Sequence, residues 1–306
     1  MNFNINRSTW KHDKHTTDHV STKNECCDHV LINQHKNKLG GSFDKYPDIK
    51  TGYESLAKLC DVDSNRIYVS FGSSHVLKDL ITVLDFQTIQ LFEPGFELMN
   101  VYCELMNKTI LLNRFTYTHD QFTHEDIIQT GGDVLYLTNP HCPTCVTYSS
   151  EYIAQLSKRF KYIIIDEAYT NPLTISRSLQ HIHNVIIVKT FSKIGGVPGL
   201  RFGFCHASVA IIDKLMCVKP MYEMSSDVVD YIQICDMDRF NSSIQRMTDT
   251  ANLLREQYPS RFVNYDGNFC LMKGHDQFKG KKYTINNHQF TRVTLTDPAG
   301  VDQLSI

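Results

Sequence analysis

Val185-Ile186-Ile187-Val188-Lys189-Thr190-Phe191-Ser192-Lys193-Ile194-Gly195-Gly196-Val197-Pro198-Gly199-Leu200-Arg201-Phe202-Gly203 is the stretch whose reading decides the fold. Its apolar opening reads as a buried strand. A lysine then sits between a hydroxyl pair and a glycine-rich turn, with an arginine eight residues further on. A lone lysine at a strand end is usually a solvated charge. Lys193, flanked by Ser192, two glycines and Arg201, instead looks like an amine held beside a phosphate. That combination suits a Schiff-base lysine carrying a phosphorylated aldehyde.

Working outward, short apolar runs alternate with helical patterns. The runs predict strands over 66–71, 88–92, 109–112, 134–138, 162–165, 185–189 and 201–206. Helical patterns fall between them at 75–84, 96–106, 124–129 and 151–160, the last with Ser149 or Ser150 as its cap. Strands without polar alternation, separated by helices, indicate an α/β fold: a mostly parallel sheet covered by helices on both faces. After about residue 215 two long helical patterns, 221–237 and 242–257, precede short strands near 261–263, 269–272 and 290–295. The expected organisation is a polar N-terminal arm over 1–45, a large domain over 46–215 and a smaller α+β domain over 216–306.

A chain of 306 residues is long enough for one large domain and a smaller one. A net charge of −2 gives no electrostatic reason to expect nucleic acid or an anionic membrane as partner. No apolar run approaches the roughly 18 residues of a membrane span. Met1 to Asp18 is polar and lacks an apolar h-region, so the expectation is no secretory leader and a cytoplasmic chain. Ten scattered cysteines then read as free thiols, with Cys103, Cys205, Cys217, Cys235 and Cys270 expected to be buried. Cys142-Pro143-Thr144-Cys145 is formally a C-x-x-C motif. Zinc would want a second ligand pair nearby, and Cys26-Cys27 has the wrong spacing, so a plain loop is the stronger reading and no metal is expected.

Ligands of open α/β sheets collect at the carboxyl ends of strands, and several predicted strands end in chemically loaded residues. Gly72-Ser73-Ser74 opens a helix, where backbone N–H groups and two hydroxyls make either a phosphate cradle or an ordinary cap. Asn139, followed by Pro140 and Pro143, projects an amide from a rigid loop. Ile163-Ile164-Ile165 drives a strand into the core that ends in Asp166, with Tyr169 three residues on. A buried aspartate is costly unless it meets a cation, although a capping aspartate is the plainer alternative. Arg292, in Phe290-Thr291-Arg292-Val293-Thr294-Leu295, is a solvated charge on an exposed strand and a bidentate carboxylate clamp in a cleft.

In order and spacing these segments resemble the fold-type I, pyridoxal-phosphate-dependent aminotransferases, most of all the histidinol-phosphate aminotransferase branch with its threonine-phosphate decarboxylase relatives. The resemblance runs from Tyr46-Pro47-Asp48 to about Leu295. It implies that Lys193 forms the Schiff base with pyridoxal 5′-phosphate. Ser73, Ser74, Ser192 and Arg201 would hold the phosphate, Asp166 would pair with the pyridine nitrogen, and Asn139 and Tyr169 would bond the ring oxygen. Phe96 takes the position of the aromatic that stacks on the ring. Tyr46 resembles the tyrosine that reaches the phosphate of a neighbouring subunit, which implies a homodimer. Arg292 resembles the arginine that binds the substrate α-carboxylate. The partners implied are an amino donor and a 2-oxo acid. Burial and nearby Arg201 are expected to lower the Lys193 pKa.

The chain departs from the family pattern in places. Cys145 stands where the usual Pro-Thr-Gly turn has glycine, Ser74-His75 replaces a common acidic pair, and Phe96 lacks the usual hydroxyl. Asp297-Pro298 looks like the start of a final helix. Three other functions compete with transamination: decarboxylation on the same fold, cofactor binding without turnover, and redox or zinc chemistry at Cys142 and Cys145.

Overall fold

Residues 45–295 are described by the computed structural model; the polar arm and the expected final helix lie outside them. Helix α1 (Ile49–Cys60) is capped by Asp48, whose carboxylate accepts from the Thr51 N–H, and ends at Asp61 in the left-handed conformation. The chain then alternates β1 (Ile67–Phe71), α2 (Ser73–Val83), β2 (Thr88–Glu93), α3 (Glu97–Leu105) and β3 (Thr109–Arg114). A small hairpin, β4 (Thr116–Thr118) with β5 (Gln121–Thr123), and the short α4 (Ile127–Thr130) follow. Next come β6 (Val134–Thr138), α5 (Ser150–Leu156), β7 (Tyr162–Asp166), β8 (Val185–Thr190), β9 (Phe202–His206) and α6 (Val209–Met216).

Seven of these strands form one sheet in the order β1-β9-β8-β7-β6-β2-β3. All neighbours are parallel except at β9, which runs against both β8 and β1. The pattern of pairings follows from connection length. The chain between β8 and β9 is too short for a helical crossover, so β9 returns from the same end, with Thr190 opposite Gly203. Lys193 lies in that return.

The isoleucine triplet shows how the sheet is buried. Ile164 packs with Val76, Leu80, Met99 and Ile212 on one face, whereas Ile163 and Ile165 pack with Leu56, Ile153 and Val228 on the other. Each such side chain stabilises the fold by roughly 1.5–3 kcal/mol relative to exposure. Two helical layers therefore cover the sheet, as expected from strands without polar alternation.

Beyond α6 lie α7 (Ser226–Ile234), α8 (Met237–Gln257), β10 (Phe262–Asp266), β11 (Phe269–Lys273), β12 (Lys281–Ile285) and β13 (His288–Thr294). The last four make an antiparallel sheet ordered β10-β11-β13-β12. The single helix expected over 221–237 is instead broken at Cys235-Asp236, because Asp236 accepts from the Asp238 N–H and starts α8 there. The helix expected over 124–129 begins only at Ile127, since His124 is taken up by the Tyr148 hydroxyl at 2.9 Å. Helix α5 is capped by Ser149 as expected but stops at Leu156. Helices α1 and α6, the β4–β5 hairpin and β12 are additions to the sequence reading. Cys217 is exposed, not buried, because it falls just past the end of α6. No helix among the described residues is long and apolar enough to cross a membrane.

Candidate active site

The carboxyl ends of β6, β7 and β8, the start of α2 and the middle of β13 supply the chemistry. Asp166 ends β7 and is buried. Its carboxylate accepts from the Tyr136 hydroxyl at 2.8 Å and the Ala168 N–H at 3.1 Å. Burial nevertheless pushes its pKa up to about 6, with Tyr136, Ala168 and the Lys193 charge pulling the other way. An ionised Asp166 is thus under-compensated by its own protein and suited to an added cationic partner.

Lys193 reaches to 5.7 Å above the Tyr169 ring. Its pKa is lowered first by burial and next by the Arg292 charge; Arg201 contributes less than either. The sequence expectation had named Arg201 as the responsible cation. Arg292, distant in sequence, is the stronger one.

Arg292 sits on β13 opposite Leu271 of β11. Its Nη1 donates to the Cys142 sulfur and to the Tyr169 hydroxyl, each at 3.2 Å, and its guanidinium carbon lies 5.5 Å from the Phe269 ring centre. The Tyr169 ring in turn meets Phe269 edge-on at 4.8 Å. The Nε of Arg292 is buried without a hydrogen-bond partner. Such a donor is costly to leave unmade and marks a place for an acceptor.

The phosphate-cradle candidates meet at the other end. Ser73 and Ser74 begin α2 after Gly72, which supplies no side-chain cap, so the first N–H groups of the helix are open to a ligand. Gly72 has φ +79°, and a Cβ there would lie 2.6 Å from Arg201 Nη2. Its missing side chain is the room the guanidinium occupies. Gly203 does the same for the backbone: a Cβ would fall 2.2 Å from the Ser73 nitrogen, so only glycine lets β9 press against the start of α2. Arg201 Nη1 donates to Ser192 Oγ at 3.4 Å. Arg201 itself lies not in the strand but just before it, at φ +52°, ending a short turn over Pro198–Leu200.

Asn139 follows β6, and its amide is oriented by the backbone of Tyr148, accepting from its N–H at 2.9 Å and donating to its carbonyl at 3.1 Å. Cys145 adopts φ +59° and so does take up the conformation for which the usual turn has glycine. Phe96 precedes α3 and is about one-third exposed. Tyr46 is exposed, its ring stacked on Tyr222 at 4.2 Å, apart from the groups just described.

Three residues were not foreseen. Tyr136 orients Asp166; a tyrosine inside an otherwise apolar strand was the available signal, because a buried hydroxyl needs a partner. Lys189, fully buried, pairs with Glu167 at 2.5 Å and donates to Thr170 and to the Asn171 carbonyl, pinning the loop that carries Tyr169. Cys142, weighed only as half of a C-x-x-C, touches Arg292. Among the described residues no group of three or more His, Cys, Asp or Glu side chains gathers as a metal site.

A mostly parallel seven-stranded sheet with one reversed strand, and a lysine in the return before it, define a fold-type I pyridoxal-phosphate transferase. The chain belongs to the aminotransferase class I and II family, whose model matches residues 1–299. It is 25% identical to a histidinol-phosphate aminotransferase of Flavobacterium johnsoniae, over 97% of this chain and 91% of that one. Histidinol-phosphate aminotransferase from Sinorhizobium meliloti, solved in complex with pyridoxal-5′-phosphate, superimposes with a TM-score of 0.73 at 16% identity, covering 90% of this chain and 84% of that one. The L-threonine-O-3-phosphate decarboxylase from Porphyromonas gingivalis gives 0.69 at 16% identity, covering 89% and 94%. The shared fold therefore does not by itself select the reaction.

Enzymes of the family use pyridoxal phosphate, and the residues here fit that group. The Gly72 cradle beside Arg201 suits its phosphate, and the under-compensated Asp166 suits a protonated ring nitrogen.

Proposed function

We propose that this enzyme moves an amino group between an amino acid, or a phosphorylated amino compound of the histidinol-phosphate kind, and a 2-oxo acid. One observation carries the reading: Arg292, with a buried and unpartnered Nε, stands close enough to Lys193 to depress its pKa. A carboxylate clamp beside an amine whose protonation is disfavoured suits α-proton transfer on an amino acid.

Lys193 would hold the cofactor, Asp166 its ring nitrogen, Asn139 and Tyr169 its ring oxygen, and Phe96 its ring face. Ser73, Ser74, Ser192 and Arg201 would hold its phosphate, joined by Tyr46 from a second copy in a homodimer. When bound, pyridoxal phosphate supplies a reactive aldehyde and an electron-withdrawing ring. Lys193, its protonation disfavoured by burial and the facing guanidinium, takes the proton from the substrate Cα and later returns one. Arg292 takes the α-carboxylate on its free donors and fixes it, so that the Cα–H bond is the one presented to Lys193. The same orientation disfavours loss of the carboxylate. The reading treats 46–215 as the cofactor-binding domain, 216–306 as the smaller domain that brings Arg292, and the cytoplasm as the site of action.

The test is a donor screen on cofactor-loaded protein, with Lys193→Ala as control. Amino acid consumed one-for-one with 2-oxo acid formed supports the proposal. Carbon dioxide released without a 2-oxo product would replace it with decarboxylation.

A further inference from the structure

Eight described cysteines carry free thiols. Burial pushes Cys60, Cys103, Cys235 and Cys270 up to about 12, and Cys145 and Cys205 are raised as well. Those six are neutral thiols shielded from solvent and poorly reactive. Cys217 is exposed at the end of α6. Cys142 differs from all of them: it is half-buried, and its sulfur lies 3.2 Å from a guanidinium nitrogen of Arg292. The Nε of the same guanidinium is buried and still lacks an acceptor. A nucleophilic sulfur and an anion-seeking donor therefore share one corner.

We propose that Cys142 is a modification site for small disulfides that bear a carboxylate. Arg292 takes the carboxylate, and the Cys142 sulfur attacks the nearer sulfur of the reagent. A bond forms between the two sulfurs and the reagent's own S–S bond breaks. The departing half leaves as a thiol, carrying the proton that Cys142 gives up. One disulfide is consumed and one is formed, so no other oxidant is needed, and an added thiol runs the exchange backwards. Cys145 closes the same turn, its N–H donating to the His141 carbonyl at 2.7 Å. Its buried, protonated thiol attacks poorly, so the adduct stays on Cys142 and does not pass to a Cys142–Cys145 disulfide. The consequence rests on the reading of Arg292 as the substrate-carboxylate clamp: the adduct occupies that clamp and excludes the amino donor until a thiol removes it.

The experiment compares three reagents on cofactor-loaded protein without any amino donor: dithiodipropionate (anionic), hydroxyethyl disulfide (neutral) and cystamine (cationic). Adducts are read by intact mass and peptide mapping. Cys142 is expected to react at least about tenfold faster with the anionic reagent than with the cationic one, a ratio one opposite-charge contact in a low-dielectric pocket supplies. Cys217 is expected to show no such order. Saturating succinate is expected to slow labelling of Cys142 alone, and Arg292→Gln to erase the order while Cys142 still reacts. Equal rates at Cys142 for all three reagents, or adducts on Cys217 with none on Cys142, would overturn the proposal. Because no turnover is measured, such a result leaves the transferase reading standing, and a failed donor screen leaves the labelling result standing.

Discussion

Replacing Asp166 with asparagine in cofactor-free protein isolates the cost of holding a carboxylate in this site. The folded pKa is raised from 3.8 to about 6, chiefly by burial. A carboxyl group raised in this way contributes stability that is fully present below pH 3.8 and lost as the pH climbs through 6. Integrated over the shift, the loss amounts to about 3 kcal/mol. About 2 kcal/mol of it falls between pH 4.5 and pH 8. Asparagine never ionises, and it can keep both contacts. Its oxygen accepts from the Ala168 N–H, and its amide donates to a Tyr136 hydroxyl that has turned round. The variant is therefore expected to gain on the parent by about 2 kcal/mol as the pH rises from 4.5 to 8. Urea unfolding at several pH values measures this. Loaded with cofactor the sign reverses, because the carboxylate then has its cationic partner, and the variant should lose cofactor more readily. A stability difference that stays flat with pH, or moves the other way, would refute the claim that burial dominates at Asp166.

Gly203→Ala would drive a methyl into the Ser73 nitrogen and the Gly72 carbonyl carbon, at 2.2 and 2.4 Å. The expected outcome is a loss of about 3 kcal/mol in thermal or denaturant unfolding, together with weaker cofactor retention. Arg292→Lys keeps a charge but loses the planar fork; KM for donor and acceptor should rise by about 10- to 100-fold with kcat changed less. An unaltered KM would remove Arg292 from carboxylate binding. Tyr136→Phe deletes a donor that lowers the Asp166 pKa. The midpoint for Asp166 in a carboxyl titration of the cofactor-free protein should therefore move above its parent value, and a downward move would contradict the assigned role of the hydroxyl.

Much of the frame was legible because local patterns carried it. The runs ending at Thr138, Asp166 and Thr190 are too apolar for a one-sided sheet, and residues at such strand ends collect where ligands bind. What stayed hidden depended on distance. That Arg292 outranks Arg201 in lowering the Lys193 pKa comes from β13 arriving beside the ends of β6 and β7, where Arg292 meets Tyr169, a contact 123 residues apart in sequence that no local pattern encodes. The antiparallel turn of β9 was equally invisible in composition, since a buried strand looks apolar in either direction. The break between α7 and α8 is a different failure. Asp236 can sit within a helical pattern or cap a new helix, and here it caps the helix whose Phe240 and Met247 join the core.

Charge accounting explains why these distant groups belong together. Lys193, Arg201 and Arg292 bring three basic groups toward the one carboxylate of Asp166; burial makes an uncompensated charge expensive at Lys193 and Arg292, whereas Arg201 is exposed. The protein lowers part of that cost by disfavouring protonation of Lys193. It cannot do the same for the Arg292 guanidinium, because arginine does not give up its proton. Exposed Arg201 faces the open N–H groups of α2, and among the described residues Arg292 meets a thiol, a phenol and an aromatic face but no carboxylate. Each guanidinium can therefore take an added anion, and the buried Nε of Arg292 calls for one. Their separation sorts them: an anion at Arg201 meets a helix terminus and hydroxyls, as a phosphate would, and one at Arg292 meets a planar fork beside Lys193, as an amino-acid carboxylate would.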